Sequence, residues 1–273
     1  MQEIDDLVKF SHLVYQKGFL AATDGNLSVR LPNGNILITR SGVCKGEVTA
    51  DDLIEIDLEG KIIGSTEHAT QIGSMALNGS TTLNRSTAII RGAGAFGSTE
   101  ILPNTEYANE KISAKTANSV GKKVSTESKL HLHIYRNRSD IKAVIHTHPI
   151  YSVICASSGI SLDRPFFPEV ILSIGRIPTC SYATPSTDEL HHSLDKYLEY
   201  SNVFLLQNHG AVATGRNLSE AFYRTDKLEH TARIVVEAAR TGGIKPLLRH
   251  QIDKLYQIAG STYGISIHPK NRF

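Results

Sequence analysis

Residues 143–149, AVIHTHP, place two imidazoles one residue apart at the end of an apolar, β-branched run. A run of that kind closed by proline predicts a buried strand. Side chains alternate along a strand with period two, so His146 and His148 should leave the same face side by side. Held in that way, two neutral imidazoles offer nitrogen ligands to a borderline-soft divalent cation. A catalytic centre of this type needs a third protein ligand and a vacant position. Residues 203–210, VFLLQNHG, form another apolar run ending in a polar cluster, with His209 where a strand gives way to a glycine turn. One histidine on an apolar face is usually a satisfied core residue, so the expectation rests on all three: His146, His148 and His209 around one metal ion.

A second H-x-H pair, His131 and His133, falls in a predicted helix that Glu127 opens, with Ser125 as its N-cap and Leu130, Ile134 and Tyr135 on its apolar side. Two residues apart on a helix, side chains diverge by about 200°, so this pair cannot chelate one ion. His191 and His192 are set aside by the same test, in a helix predicted from the capping-box pattern between Ser186 and Glu189.

Around these residues the chain alternates strands and helices, which implies a layered α/β domain. Leu7, Phe10, Leu13 and Val14 have helical spacing before Gly18. Asn33-Gly34 predicts a two-residue hairpin between strands at 27–31 and 35–39, and a second hairpin turns near Glu59-Gly60. The turns 23–26 and 40–42 should lie at strand ends, where backbone amides and small hydroxyls can hold an anion such as phosphate, although such clusters are more often plain turns. A final long helix is expected from 217 to 240, before Gly242-Gly243. Residues 66–120 shift to Ser, Thr, Gly, Asn and Ala and read as a polar insertion, a surface embellishment in one domain built from 1–65 and 121–273.

The net charge of +2 over 273 residues, with no basic block, excludes a nucleic-acid surface. An acidic amino terminus and the lack of a long apolar segment argue against a leader or a membrane span, so a soluble, cytoplasmic protein is expected. Cys44, Cys155 and Cys180, odd in number and widely spaced, read as small core hydrophobes in a reducing compartment.

The ordered segments DGNLSVR, ITRSG, GKKVSTESKLHLHIY, AVIHTHP and LLQNHGAVATG resemble the class II aldolase/adducin superfamily, in particular its L-fuculose-phosphate-type aldolases. The resemblance implies a three-layer α/β/α fold around a mainly antiparallel sheet, in four-fold homotetramers with active sites between subunits. It makes His146, His148 and His209 ligands of Zn2+ and Glu127 the acid/base. Asn26, Ser41, Gly42, Ser125 and Thr126 fall where family members bind the substrate phosphate. The implied reaction is cleavage of a ketose 1-phosphate, such as L-fuculose 1-phosphate, to dihydroxyacetone phosphate and an aldehyde.

The chain departs from the family pattern in two places. Val124 replaces the usual proline before Ser125. The aldolases it resembles supply a tyrosine from a neighbouring subunit near the segment matching RPFFPEV, where this chain has Phe166, Phe167 and Glu169. Either Glu169, Tyr182 or Tyr263 takes that role, or the reaction is another with the same enolate logic: decarboxylation, dehydration or, less in keeping with Glu127, epimerisation. A non-catalytic, adducin-like interaction domain and a zinc hydrolase are the readings from other classes.

Overall fold

In the computed structural model, which describes residues 2–64 and 123–273, helix α1 (Gln2–Gln16) buries Leu7, Phe10 and Val14 along one face. Strands β1 (Asn26–Arg30) and β2 (Ile36–Thr39) form the first hairpin. Its loop is Pro32-Asn33-Gly34, one residue longer than Asn-Gly alone predicts: Leu31 N–H donates to Asn35 O at 2.8 Å and Gly34 N–H to Leu31 O at 3.0 Å. Proline is the reason. Its fixed negative φ suits the first position of a type I turn, it has no N–H to close a two-residue loop, and Gly34 at φ +91° absorbs the left-handed step.

Strands β3 (Leu53–Ile56) and β4 (Ile62–Gly64) make the second expected hairpin. The elements from residue 123 onward are α2 (Ser128–Asn137), β5 (Ala143–Thr147), α3 (Ile150–Ser158), α4 (Pro168–Ser173), β6 (Thr179–Cys180), α5 (Asp188–His192), α6 (Asp195–Leu198), β7 (Val203–Leu206), β8 (Gly210–Gly215), α7 (Leu218–Ala239) and α8 (Arg249–Tyr263). All described residues belong to one unit of the chain, Met1–Glu67 with Lys122–Phe273. The polar insertion read at 66–120 lies outside the described residues.

The strands form one sheet in the order β4-β3-β2-β1-β5-β8-β7-β6. Every pairing is antiparallel except β6 with β7 at the edge, so the sheet is mixed rather than uniformly antiparallel. The cause is the connection: β6 reaches β7 through α5 and α6, and a helical crossover returns the chain in the same direction. Strand alternation then sorts the core. Ile36, Ile38, Ile54, Ile56, Val144 and Phe204 pack with Leu130, Ile134 and Tyr135 of α2. Leu27, Val29, Leu37, Ala143 and Ile145 pack with Leu7, Phe10 and Val14 of α1. Both faces of the sheet are therefore covered by helices.

Three boundaries differ from the sequence reading. Helix α2 starts at Ser128, with Glu127 as the flanking residue, and Ser125 instead accepts the Glu127 N–H at 3.3 Å in a local turn. Helix α5 follows Thr187, because Ser186 takes a left-handed φ of +67°, whereas an N-cap is extended, as Thr187 is. Helix α8 was not anticipated, although Ile252, Leu255, Tyr256, Ala259 and Tyr263 recur at helical spacing; of these only Ile252 and Ala259 are buried. Cys155 and Cys180 are buried free thiols, whereas Cys44 is only half-buried. Among the described residues no helix is long and apolar enough to cross a membrane.

The long helix α7 is capped by Asn217, whose Oδ1 accepts the Glu220 N–H at 2.8 Å. Asn217→Ala should lower stability by about 1 kcal/mol, read as a fall in the urea midpoint with an unchanged slope.

Candidate active site

Strand β5 lies between β1 and β8, which sets Asn26 opposite His146 and His146 opposite Val212. His146 is wholly buried; His148 lies just past the strand end, where its N–H donates to Phe19 O at 2.9 Å. His209 comes from the three-residue loop between β7 and β8, where Asn208 takes the left-handed conformation that asparagine tolerates. The three rings converge as the spacing predicts. Centroids of His146 and His148 are 4.9 Å apart, those of His146 and His209 4.9 Å, and those of His148 and His209 5.1 Å.

Protonation follows from the partners. His146 Nδ1 lies 3.0 Å from Ala211 O, a group that can only accept, so the ring proton sits on Nδ1 and Nε2 is bare. The Asp24 carboxylate lies 3.6 Å from His148 Nδ1, outside hydrogen-bond reach. Burial, together with His146 and His209, pushes the His148 imidazole down to about 4, so it is neutral at neutral pH. His148 Nε2 lies 3.2 Å from His146 Nε2, so the two nitrogens converge on one locus. That spacing is close to the edge of a tetrahedron with metal–nitrogen bonds of about 2.0–2.1 Å. His209 Nδ1 is buried without a hydrogen-bond partner among the described residues, which also fits a donor set built for an ion. The residues therefore fit a divalent metal.

Two glycines permit the convergence. A Cβ on Gly210 would lie 2.5 Å from His148 Cδ2 and 2.6 Å from Thr147 O, and one on Gly25 would lie 2.6 Å from His146 O. Any larger residue at either position has to displace the strand or the rings.

Glu127 stands against two of these rings, with Oε2 3.4 Å from His146 Nε2 and Oε1 3.2 Å from His209 Nε2. Burial by itself raises its pKa, but contacts with His146 and His209 outweigh that and hold the carboxyl well below the usual range. Asn26 Nδ2 donates to Glu127 Oε2 at 3.4 Å and to Ser125 Oγ at 3.1 Å, so Asn26, Ser125 and Glu127 form one polar cluster beside the imidazoles. Ser41 is drawn in through its backbone, donating to Lys123 O at 2.9 Å, and the neighbouring Gly42 is exposed at φ +72°. Thr126 points elsewhere: its hydroxyl pairs with Ser186 Oγ at 2.7 Å.

Sequence reasoning missed Lys45. Its side chain is buried, and Nζ donates to Thr23 O at 2.9 Å and Val43 O at 3.0 Å, tying the two turns expected to hold phosphate. No periodic pattern marks it; the only available signal is a lysine directly after the SGVC turn.

The family described as Class II Aldolase and Adducin N-terminal domain matches residues 5–236, and the chain belongs to it. Class II aldolases are metal-dependent lyases, in keeping with the histidine cluster. Among curated relatives the chain is similar to the 3-oxo-tetronate 4-phosphate decarboxylase of Pectobacterium atrosepticum, 27% identical over 84% of this chain and 82% of that protein. It is also similar to the L-fuculose phosphate aldolase of Methanococcus maripaludis strain C7, 23% identical over 85% and 95%. Among solved structures, YgbL of Klebsiella pneumoniae superposes with a TM-score of 0.68 at 26% identity, covering 93% of this chain and 97% of its own. The L-fuculose-1-phosphate aldolase of Thermus thermophilus shares the fold, with a TM-score of 0.62 at 24% identity over 91% and 100%.

Burial pushes the Lys45 ammonium down to about 8, whereas an unfolded lysine titrates near ~10.4. Between those values the unfolded chain binds more protons, so this group makes stability rise with pH across that window. Binding of inorganic phosphate should run the other way and weaken as pH rises through about 8. Lys45→Met should remove both dependences, measured by chemical denaturation and by phosphate titration from neutral to alkaline pH.

Proposed function

We propose that this chain is a divalent-metal-dependent carbon–carbon lyase acting on a small phosphorylated sugar or sugar acid. One arrangement carries the reading: two imidazole nitrogens 3.2 Å apart, with a third imidazole and a carboxylate close beside them. His146, His148 and His209 would hold the cation, and zinc suits three nitrogen donors with an open position. Once bound, it supplies Lewis-acid polarisation of a carbonyl, which stabilises developing negative charge by several kcal/mol.

The protein's own groups do the rest. Asn26, Ser125, the backbone at Ser41 and Gly42, and the charge of Lys45 behind them orient the phosphate. Thr126 contributes through its backbone, since its hydroxyl is engaged by Ser186. Glu127 moves the proton at the reacting carbon. Burial works against the charged carboxylate, but its contacts with His146 and His209 favour it, so Glu127 stands ionised, as a group that takes a proton must.

Two substrates converge on this chemistry. Aldol cleavage of a ketose 1-phosphate breaks a carbon–carbon bond to give an aldehyde and the enediolate of dihydroxyacetone phosphate. Loss of carbon dioxide from a 3-oxo-tetronate 4-phosphate, the substrate named for relatives at 24–27% identity, leaves the same enediolate. Both end with protonation of one carbon. Only the leaving group differs: an aldehyde departs as its hydroxyl proton is removed, whereas a carboxylate departs without one. Phe166 and Phe167 stand where resembling aldolases supply tyrosine, and a phenyl ring carries no exchangeable proton, so decarboxylation is favoured. For the aldol reading, the chain's own candidate acid is Tyr182, an exposed residue whose N–H donates to Gln207 Oε1 at 2.9 Å in the loop that carries His209. Assembly into a homotetramer, and the surface role of residues 66–120, belong to the same proposal.

Incubation of the metal-loaded protein with 3-oxo-tetronate 4-phosphate should release carbon dioxide and dihydroxyacetone phosphate. Turnover of ketose 1-phosphates alone would establish the aldolase reading, and no turnover with no bound metal would fit a non-catalytic interaction domain. His146→Ala should lose metal and turnover together, while Glu127→Gln keeps metal and loses roughly 10²–10⁴ in rate. Joining Ser65 directly to Gly121 should leave turnover essentially unchanged; a large loss in a folded protein would contradict a passive insertion.

A further inference from the structure

A second group of three imidazoles lies away from the strand-end trio. His133 projects from α2, and His191 and His192 from α5, so that one ring nitrogen from each lies within 4.8 Å of the others, the same limit that the strand-end trio meets. Ring centroids are 4.8 Å apart for His133 and His191, 5.2 Å for His133 and His192, and 4.5 Å for His191 and His192. The spacing argument that set these residues aside holds only within one helix. Here the donors come from two.

A carboxylate completes the set. Asp195, at the start of α6, places Oδ1 2.6 Å from His133 Nε2 and Oδ2 2.9 Å from His192 Nδ1. The fourth observation is an orphan: His191 Nδ1 is buried with no hydrogen-bond partner among the described residues. Three nitrogens and one carboxylate oxygen are the complement of a closed, four-coordinate site, in contrast to the open three-histidine set at the end of β5. His192 and Asp195 are exposed, so their side chains are free to rotate toward metal–ligand distances of about 2.0–2.2 Å.

We propose that His133, His191, His192 and Asp195 form a second, structural site for a divalent transition cation such as zinc. The ion would fasten α2 to the α5–α6 pair. Because Glu127 directly precedes α2, the clamp would also steady the carboxylate that faces the strand-end imidazoles. Open coordination is absent from this donor set, so no chemistry is assigned to it. The inference stands on residues that the proposed lyase site does not use.

The test is zinc titration of the untagged, full-length apo protein in competition with a chromophoric chelator. Two equivalents per chain are expected for the wild type, and one each for His191→Gln/His192→Gln and for His146→Gln/His148→Gln. A wild type that binds one equivalent, lost in the His146/His148 variant and kept in the His191/His192 variant, overturns this inference and leaves the lyase reading intact. One equivalent lost only in the His191/His192 variant does the reverse. Should that variant fail to fold, the His146→Gln/His148→Gln protein supplies the answer alone: its thermal midpoint should rise by several degrees on adding zinc, and no rise counts against the second site.

Discussion

Three imidazoles and a carboxylate held together at one end of a buried strand are electrostatically costly, and the architecture around them exists to make that arrangement hold. Their nitrogen and oxygen atoms approach one another at 3.2–3.4 Å, and the contacts among them offset the cost of burying the carboxylate. The fold holds this cluster with backbone rather than side chains. Strand β5 is hydrogen-bonded on both sides, the Ala211 carbonyl orients His146, and Gly25 and Gly210 leave out the Cβ atoms that would push the rings apart. A site preorganised in this way loses little on binding a cation, because the cost of orienting its ligands has been met in folding.

The chemistry then depends less on the metal ligands than on what surrounds them. Glu127 is depressed by the very histidines that a cation would engage, so the state of the cluster sets the carboxyl's ability to transfer a proton. Lys45, buried behind two polar turns, gives an almost neutral chain a local attraction for an anion.

Much of the fold was legible because period-two and helical patterns are local. Leu7, Phe10 and Val14 marked α1, and β5 was visible from Ala143 to Thr147 together with the shared face of its histidines. Features set by contacts distant in the chain were not. The parallel β6–β7 edge follows from a crossover, and the burial of Lys45 from two turns meeting over it. His133, His191 and His192 illustrate the limit most directly: spacing along one helix correctly separates His131 from His133, yet it is silent on which rings another helix brings near.

What the sequence determined by itself was the shared direction of His146 and His148 and, through its ordered motifs, the family, because H-x-H on a strand, a terminal His-Gly and a Ser-Thr-Glu turn are patterns of adjacent residues whose geometry the local backbone dictates. Only the tertiary structure decided that Glu127 contacts His146 and His209, that Thr126 turns its hydroxyl to Ser186, and that a second imidazole cluster forms across α2 and α5. Those outcomes depend on distances between segments remote in the chain, which packing of both sheet faces sets and no local propensity encodes.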